Sequence, residues 1–282
     1  MQARILASAL IFFAFFAGGR AAEDKPWKKG EISLYVGYGH SRVRGSSSYE
    51  LGWTSGDPIT GADTSLSVSS RNAIYFGAFF SIFLDENVGF QTGFGYLKSD
   101  APNQADFELR FPSGTAARQE TWHGTGEVTS VPLCLNIAGR FGDRKFRMNV
   151  STGVSLFLNS FLADSYAGTA AVSILPEETL DAFRIRVAVE DKTWTALGGD
   201  FGWSGDFQLS KNMALTVEAR YFFCPIKTVD WKWIPGIYAG LLGNLPAWNF
   251  NQAAAAEAES RTSPLSINPS LFTLGIGIKF LR

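Results

Sequence analysis

Apolar side chains alternate with small or polar ones, with a period of two, in eight runs along the chain. In the first, Ile32, Leu34, Val36 and Tyr38 alternate with Ser33, Tyr35, Gly37 and Gly39. In the second, Ile74, Phe76, Ala78, Phe80 and Ile82 oppose Tyr75, Gly77, Phe79 and Ser81. Val88, Phe90, Thr92, Phe94 and Tyr96 then face away from Gly89, Gln91, Gly93 and Gly95. Further runs set Val131, Leu133, Leu135 and Ile137 against Ser130, Pro132, Cys134, Asn136 and Ala138, and Phe146, Met148, Val150, Thr152, Val154 and Leu156 against Arg147, Asn149, Ser151, Gly153 and Ser155. The sixth puts Leu197, Phe201, Trp203, Phe207 and Leu209 outward and Asp200, Gly202, Ser204, Asp206 and Gln208 inward. Leu215, Val217, Ala219, Tyr221 and Phe223 oppose Thr216, Glu218, Arg220 and Phe222. The last run opposes Phe272, Leu274, Ile276, Ile278 and Phe280 to Thr273, Gly275, Gly277 and Lys279.

The connectors alternate in length. Tight polar turns are read at Leu84 to Asn87, Gly142 to Lys145 and Ser210 to Asn212, and long irregular segments near residues 40–70, 99–127, 159–191 and 224–268. Short turns on one side and long loops on the other belong to outer-membrane barrels. The polar face is mostly Gly, Ser, Asn and Thr with isolated charges, which suits the crowded inside of a small barrel rather than bulk water. The pattern therefore predicts an all-β fold: an eight-stranded antiparallel up-and-down transmembrane β-barrel with long extracellular loops. An open edge in hydrocarbon would leave amides unpaired, so the first and last strands are expected to pair. A soluble lipocalin-like barrel is the competing fold, and it would require the reverse polarity.

Composition narrows this further. The N-terminus carries Arg4, an apolar run from Ile5 to Ala17, and small residues at Gly19 and Ala21. That reads as a signal peptide over 1–21, cleaved after Ala21 or one residue later, leaving 22–282 as the barrel domain. No other segment reaches the roughly 20 apolar residues of a spanning helix. A net charge of −1 gives no bulk drive towards nucleic acid. Cys134 and Cys224 fall on non-adjacent strands at different heights and are expected to stay unpaired. No internal repeat, second domain or cofactor-binding βαβ unit is seen.

Several stretches resemble the outer-membrane β-barrel domain family, the broad OmpA/OmpX/OmpW-like group of small barrels. They are Ser-Val-Pro-Leu-Cys-Leu-Asn-Ile (130–137), Phe-Arg-Met-Asn-Val-Ser-Thr-Gly-Val-Ser (146–155), Asp-Phe-Gly-Trp-Ser-Gly-Asp-Phe-Gln-Leu-Ser-Lys-Asn (200–212) and Leu-Thr-Val-Glu-Ala-Arg-Tyr (215–221). Thr-Leu-Gly-Ile-Gly-Ile-Lys-Phe (273–280) resembles the C-terminal signal read by the barrel assembly machinery, although Leu281 and Arg282 follow the aromatic residue usually found last. The resemblance implies location and fold far better than activity, since members include structural, adhesive, channel-forming and enzymatic proteins.

Candidate chemistry is sparse. His123, Thr125, Glu120 and Glu127 offer an imidazole, a hydroxyl and carboxylates, but an exposed or girdle histidine is the plainer reading, and the chain is expected not to be an enzyme. Two histidines on separate loops, the other being His40, make a poor zinc site, and no cofactor is expected. Arg147, Asp200, Asp206, Glu218, Arg220 and Lys279 point inward and are expected to form an interior charge network, because buried charges must be paired. In the fourth loop, Ile234, Ile237, Tyr238, Leu241, Leu242 and Leu245 fall at helical spacing, flanked by Trp231, Trp233, Trp248 and Phe250. Trp231, Trp233, Ile237, Tyr238, Leu241 and Trp248 are thus candidate loop contacts, for capping the mouth, for anchoring at the interface or for meeting a ligand. Ala253 to Ser260 has helical propensity. Pro176 with Glu177 and Glu178 suits a short helix start, while the alternation from Arg184 to Val189 suits an extension of the sixth strand. Arg42, Arg44, Arg110 and Arg118 are either solvated or set against lipopolysaccharide phosphates. The expected role is structural or surface-interacting, with outer-membrane lipids, lipopolysaccharide and an extracellular molecule as partners. A small gated channel or transporter and a lipid A-modifying enzyme are the alternatives.

Overall fold

In the computed structural model the described residues are 30–41, 44–52, 61–69, 72–110, 116–142, 146–168, 172–175, 178–180, 184–238, 248–250 and 252–281. The signal-peptide reading, the Gly142–Lys145 turn beyond Gly142, Pro176, Glu177, Arg42 and Leu241 fall outside them. In chain order the strands begin with β1 (Gly30–Ser41), β2 (Arg44–Gly52), β3 (Gly61–Ser69), β4 (Ala73–Phe83), β5 (Val88–Asp100) and β6 (Asn103–Arg110). There follow β7 (Ala116–Gly142), β8 (Phe146–Gly168), β9 (Val172–Leu175), β10 (Glu178–Leu180), β11 (Arg184–Ser210) and β12 (Met213–Phe223). The last third holds β13 (Lys227–Val229), β14 (Lys232–Trp233), β15 (Gly236–Tyr238), β16 (Trp248–Phe250), helix α1 (Gln252–Arg261), β17 (Leu265–Ile267) and β18 (Leu271–Leu281).

Eight strands close a ring in the order β1, β4, β5, β7, β8, β11, β12, β18, every neighbouring pair being antiparallel. Closure is made by β1 and β18 from Glu31↔Leu281 to Ser41↔Leu271. The ladder between β5 and β7 lacks pairs at Gly95 and Tyr96. Those two lie opposite Val131 and Pro132, and proline has no amide to donate.

The outer surface is an apolar belt. Leu34, Val36, Phe76, Phe90, Leu135, Ile137, Val154, Phe201, Leu274 and Ile276 are all exposed, on the face that sequence parity assigns outward. On β8 the outward row runs from Phe146 to Leu158, about 30 Å high for a strand tilted about 40°. That matches a hydrocarbon layer. Above it the outward positions turn polar, with exposed Thr193 and Thr195 and the ion pairs Lys98–Glu127 at 2.7 Å and Arg186–Asp164 at 2.8 Å.

The strands do not stop at that boundary. β7, β8 and β11 are 27, 23 and 27 residues long, so much of what the sequence suggests as irregular loop is continued strand. Outside the belt β2, β3 and β6 join β7 in one sheet, and β14 pairs with β11 through Val187↔Trp233 and Ala188↔Lys232. Strand pairing there continues to satisfy most backbone amides beyond the lipid, with β2 as the free edge of the sheet. Arg184–Val189 belongs to β11, and Glu178–Leu180 pairs with Val172–Leu175, so the strand alternative for this segment is the one adopted.

The fourth loop departs from its helical spacing. Gly236–Tyr238 pairs with Trp248–Phe250 as a short hairpin, and the helix lies later, at Gln252–Arg261. Pro235 and Gly236 disfavour a helix there, whereas QAAAAEAESR is built from strong helix formers.

Candidate functional site

The barrel interior holds a layered set of charges, and its centre is Arg220. The β11–β12 register places Arg220 opposite Gly202 and Glu218 opposite Ser204. Arg220 is ion-paired with Asp200 and with Glu218 at 2.8 Å. It also donates to Gln91 Oε1 at 2.9 Å and to Ser151 Oγ at 3.3 Å. Asp200 accepts further from Asn136 at 2.9 Å and Ser155 at 2.7 Å, and the Tyr75 hydroxyl donates to Glu218 Oε2 at 3.1 Å. Gly202 makes room for this: a Cβ there would lie 2.8 Å from the Arg220 guanidinium carbon.

A second layer lies towards the short turns. Lys279 Nζ is 2.5 Å from Asp206 and 3.6 Å from Glu31. Asp206 also accepts from Thr216 Oγ1 and Asn149 Nδ2, both at 2.7 Å. Glu31 takes a hydrogen bond from Arg140 at 2.7 Å, with Arg147 at 3.8 Å. Arg147 is less enclosed than the sequence suggests, with 22% of its side chain exposed, so it sits at the rim. Across the two layers four cations, Arg140, Arg147, Arg220 and Lys279, face four carboxylates, Glu31, Asp200, Asp206 and Glu218. Such an interior gives little net stability over an apolar filling, but removal of one partner leaves a stranded charge. Sequence reasoning missed Glu31, Arg140, Tyr75 and Gln91. Parity was the available signal, because Glu31 shares a face with Ser33 and Arg140 with Asn136 and Ala138.

Around and above Arg220 the lumen is filled by rings. Tyr75, Phe79, Phe157 and Phe222 are fully buried. Phe222 stands edge-on to Tyr75 at 6.1 Å and to Phe157 at 6.4 Å. Cys134 and Cys224 are both free and buried in this region. Ser155 contacts Cys134 and Asn159 contacts Cys224. Ser155 and Asn159 lie four residues apart on β8, so the two thiols sit about 13 Å apart in height along the strand, far beyond disulfide reach.

Over the rings lies an extracellular apolar core. Trp231 and Trp233 are buried among Val128, Phe161, Val187, Val189, Leu265 and Ile267. Helix α1 clamps Trp233: Glu259 Oε1 accepts from its backbone amide at 3.1 Å, and Thr262 Oγ1 accepts from its indole at 2.9 Å. These two tryptophans therefore cap the mouth and do not face outward as loop contacts. Ile237, Tyr238 and Trp248 lie in the β15–β16 hairpin, where their side chains, like those of Arg44, Arg110 and Arg118, are outside the described residues.

His123 and Thr125 are exposed on β7, where His123 pairs with Gln104. Glu127, on the same face, is held by Lys98 at 2.7 Å and accepts from Thr129 at 3.2 Å. It is thus engaged away from the imidazole. Glu120 lies on the same strand, with its side chain outside the described residues.

A closed ring of eight antiparallel strands, apolar outside and charged and aromatic inside, defines a small transmembrane β-barrel of the outer membrane. No family model matches the chain, and no curated protein matches it. Among solved structures it is similar to the outer membrane protein OprG from Pseudomonas aeruginosa, at 10% identity and a TM-score of 0.43, covering 91% of this chain and 97% of that one. It is also similar to the outer membrane protease OmpT from Escherichia coli, at 9% identity and a TM-score of 0.44, covering 93% and 99%. A third is Ail, the attachment invasion locus protein of Yersinia pestis, at 9% identity and a TM-score of 0.34, covering 90% and 99%.

Proposed function

We propose that this protein is a non-conducting outer-membrane barrel that serves as a rigid stem for a β-structured head at the cell surface, with a structural or surface-interaction role. The observation that carries this reading is the filled lumen. Arg220, Tyr75, Phe79, Phe157 and Phe222 span it with 0–1% exposure each, and an eight-stranded barrel has room for little else. The tall β7–β8–β11 wall and the tryptophan-filled cap support the same reading, because they hold a folded surface well clear of the lipid. In this reading the head makes its contacts without chemistry, and His123 is a surface residue. Outer-leaflet lipopolysaccharide surrounds the wall, residues 1–21 direct export and are removed, and the strand from Thr273 to Phe280 is read by the barrel assembly machinery.

Surface presentation is tested by labelling intact cells with a membrane-impermeant amine reagent and mapping the modified lysines. Reaction at Lys192 and Lys232, both exposed, is the expected outcome. Labelling confined to disrupted cells would contradict it. The transport alternative requires ions to cross the Arg220 and aromatic layers, and conductance decides that point.

A further inference from the structure

Above the belt the wall is not paired over its whole height. The β11–β12 ladder ends at Gly199↔Phe223, and β11 next meets a strand on that side at Ala188↔Lys232 and Val187↔Trp233. Over the same stretch β11 keeps its pairing to β8, from Lys192↔Phe161 to Gly199↔Val154. The chain leaving β12 turns the other way: the Cys224 amide donates to Ser270 Oγ at 3.1 Å, and Lys227–Val229 pairs with Leu265–Ile267. Among the described residues, Lys192–Gly198 is therefore a strand edge without a ladder partner on its β12 side, about 23 Å long.

This edge stands where the outward row of β11 passes from lipid to water, with Leu197 below and exposed Thr195 and Thr193 above. Leu197, at 69%, and Ile226, at 65%, are the most exposed large apolar side chains among the described residues, and Phe223 at the end of β12 is 56% exposed. The three form an apolar lip on both borders of the gap, continuous with the lipid-facing belt. Unpaired strand amides attract whatever can accept from them, and at the edge of hydrocarbon they are costly to leave bare. An added peptide strand is one way to cover such an edge. Here both ends are blocked, because β11 is paired directly at Gly199↔Phe223 below and at Ala188↔Lys232 above, so a strand has no way to run through. A lipid chain enters from the side, out of the membrane, and its ester carbonyl is an acceptor carried at this same boundary.

We propose that the gap between β11 and β13 holds the ester-linked acyl chain of one outer-leaflet lipid, the chain lying on Leu197, Phe223 and Ile226 and its carbonyl accepting from an edge amide of Thr193–Gly198. The site belongs to the wall alone. It requires no passage through the filled lumen, and it stands independently of what the head binds.

The test refolds the full chain in vesicles of phosphatidylethanolamine and phosphatidylglycerol, extracts it into mild detergent and counts retained lipid by native mass spectrometry. One phospholipid per barrel is expected to survive detergent exchange. It should be lost from the Leu197→Asn, Ile226→Asn double variant and kept by Leu84→Asn, Leu209→Asn, which removes apolar side chains of comparable exposure at the short-turn rim. Heat-modifiable gel migration checks that both variants fold. Hydrogen exchange of the unaltered chain gives a reading that needs no variant: the amides of Lys192–Gly198 should exchange more slowly with lipid than after its removal, while those of β4 stay unchanged. No retained lipid, equal retention by the two double variants, a peptide mass in place of the lipid, or exchange indifferent to lipid would each overturn the proposal. Conductance is a separate readout, so failure here and failure of the closed-stem reading are distinguishable.

Discussion

The guanidinium of Arg220 lies 4.0 Å from the centre of the Phe79 ring, so the central charge layer packs directly against the buried rings. Arg140 repeats the contact nearer the short turns, 4.0 Å from the centre of the buried Phe83 ring. Arg220 therefore both neutralises two acids and supports the seal.

Arg220→Ala should leave Asp200 and Glu218 buried without their cation. The expected loss is about 3–5 kcal/mol of folding free energy, read from urea unfolding in lipid vesicles. Arg220→Lys should restore only part of it, since an ammonium cannot reach the same spread of acceptors. Wild-type stability in Arg220→Ala would refute the role given to this residue.

Gly202→Ala inserts a methyl 2.8 Å from the Arg220 guanidinium carbon. Arg220 must move away from Asp200 or Ser151, and destabilisation of about 1–3 kcal/mol is expected. Gly205→Ala, on the outward face of the same strand, serves as the comparison: its Cβ would come no closer than 3.4 Å to the Phe146 ring. Equal effects would mean that the interior is looser than described.

Val154, 54% exposed, lies midway along the outward row of β8. Val154→Arg should cost about 2–4 kcal/mol, whereas Thr193→Arg, above the belt, should cost about 0–1 kcal/mol. The same urea titration in vesicles measures both, and a uniform cost would misplace the membrane.

Asp85 closes the first short turn by accepting from the backbone amides of Asn87 and Val88, both at 2.7 Å. Those two hydrogen bonds hold its pKa below the ordinary 3.8. A depressed acid contributes stability above its unfolded pKa and loses it as pH falls through the folded one. The stability difference between wild type and Asp85→Ala should therefore be constant near neutral pH and shrink in strong acid. A difference independent of pH would rule out the charged form as its source.

Much of the barrel was legible in parity alone. Leu135 and Val154 face lipid, Asn136 and Ser155 face inward, and each strand follows because a period of two leaves only one choice when one face is oily. The partnerships were not legible. Tyr75 and Glu218 stand 143 positions apart, and which inward residues meet at one height depends on the stagger of the whole ring. Outside the belt the pattern weakened because water accepts either face, so the continuation of β7 and β8 read as loop, while Arg184 to Val189 kept enough alternation to suggest the extension of β11. In the fourth loop the apolar spacing from Ile234 onwards mimicked a helix, although Pro235 and Gly236 already argued for an extended chain. Trp231 and Trp233 were singled out correctly as unusual, but a sequence does not say whether a tryptophan faces a partner or its own core.

Planar-bilayer conductance of the refolded mature chain, with heat-modifiable gel migration as the folding control, bears most directly on the filled lumen. The expected result is a folded barrel that remains electrically silent across the voltage range. Discrete, reproducible channels from the folded species would contradict the closed interior and make transport the function to pursue.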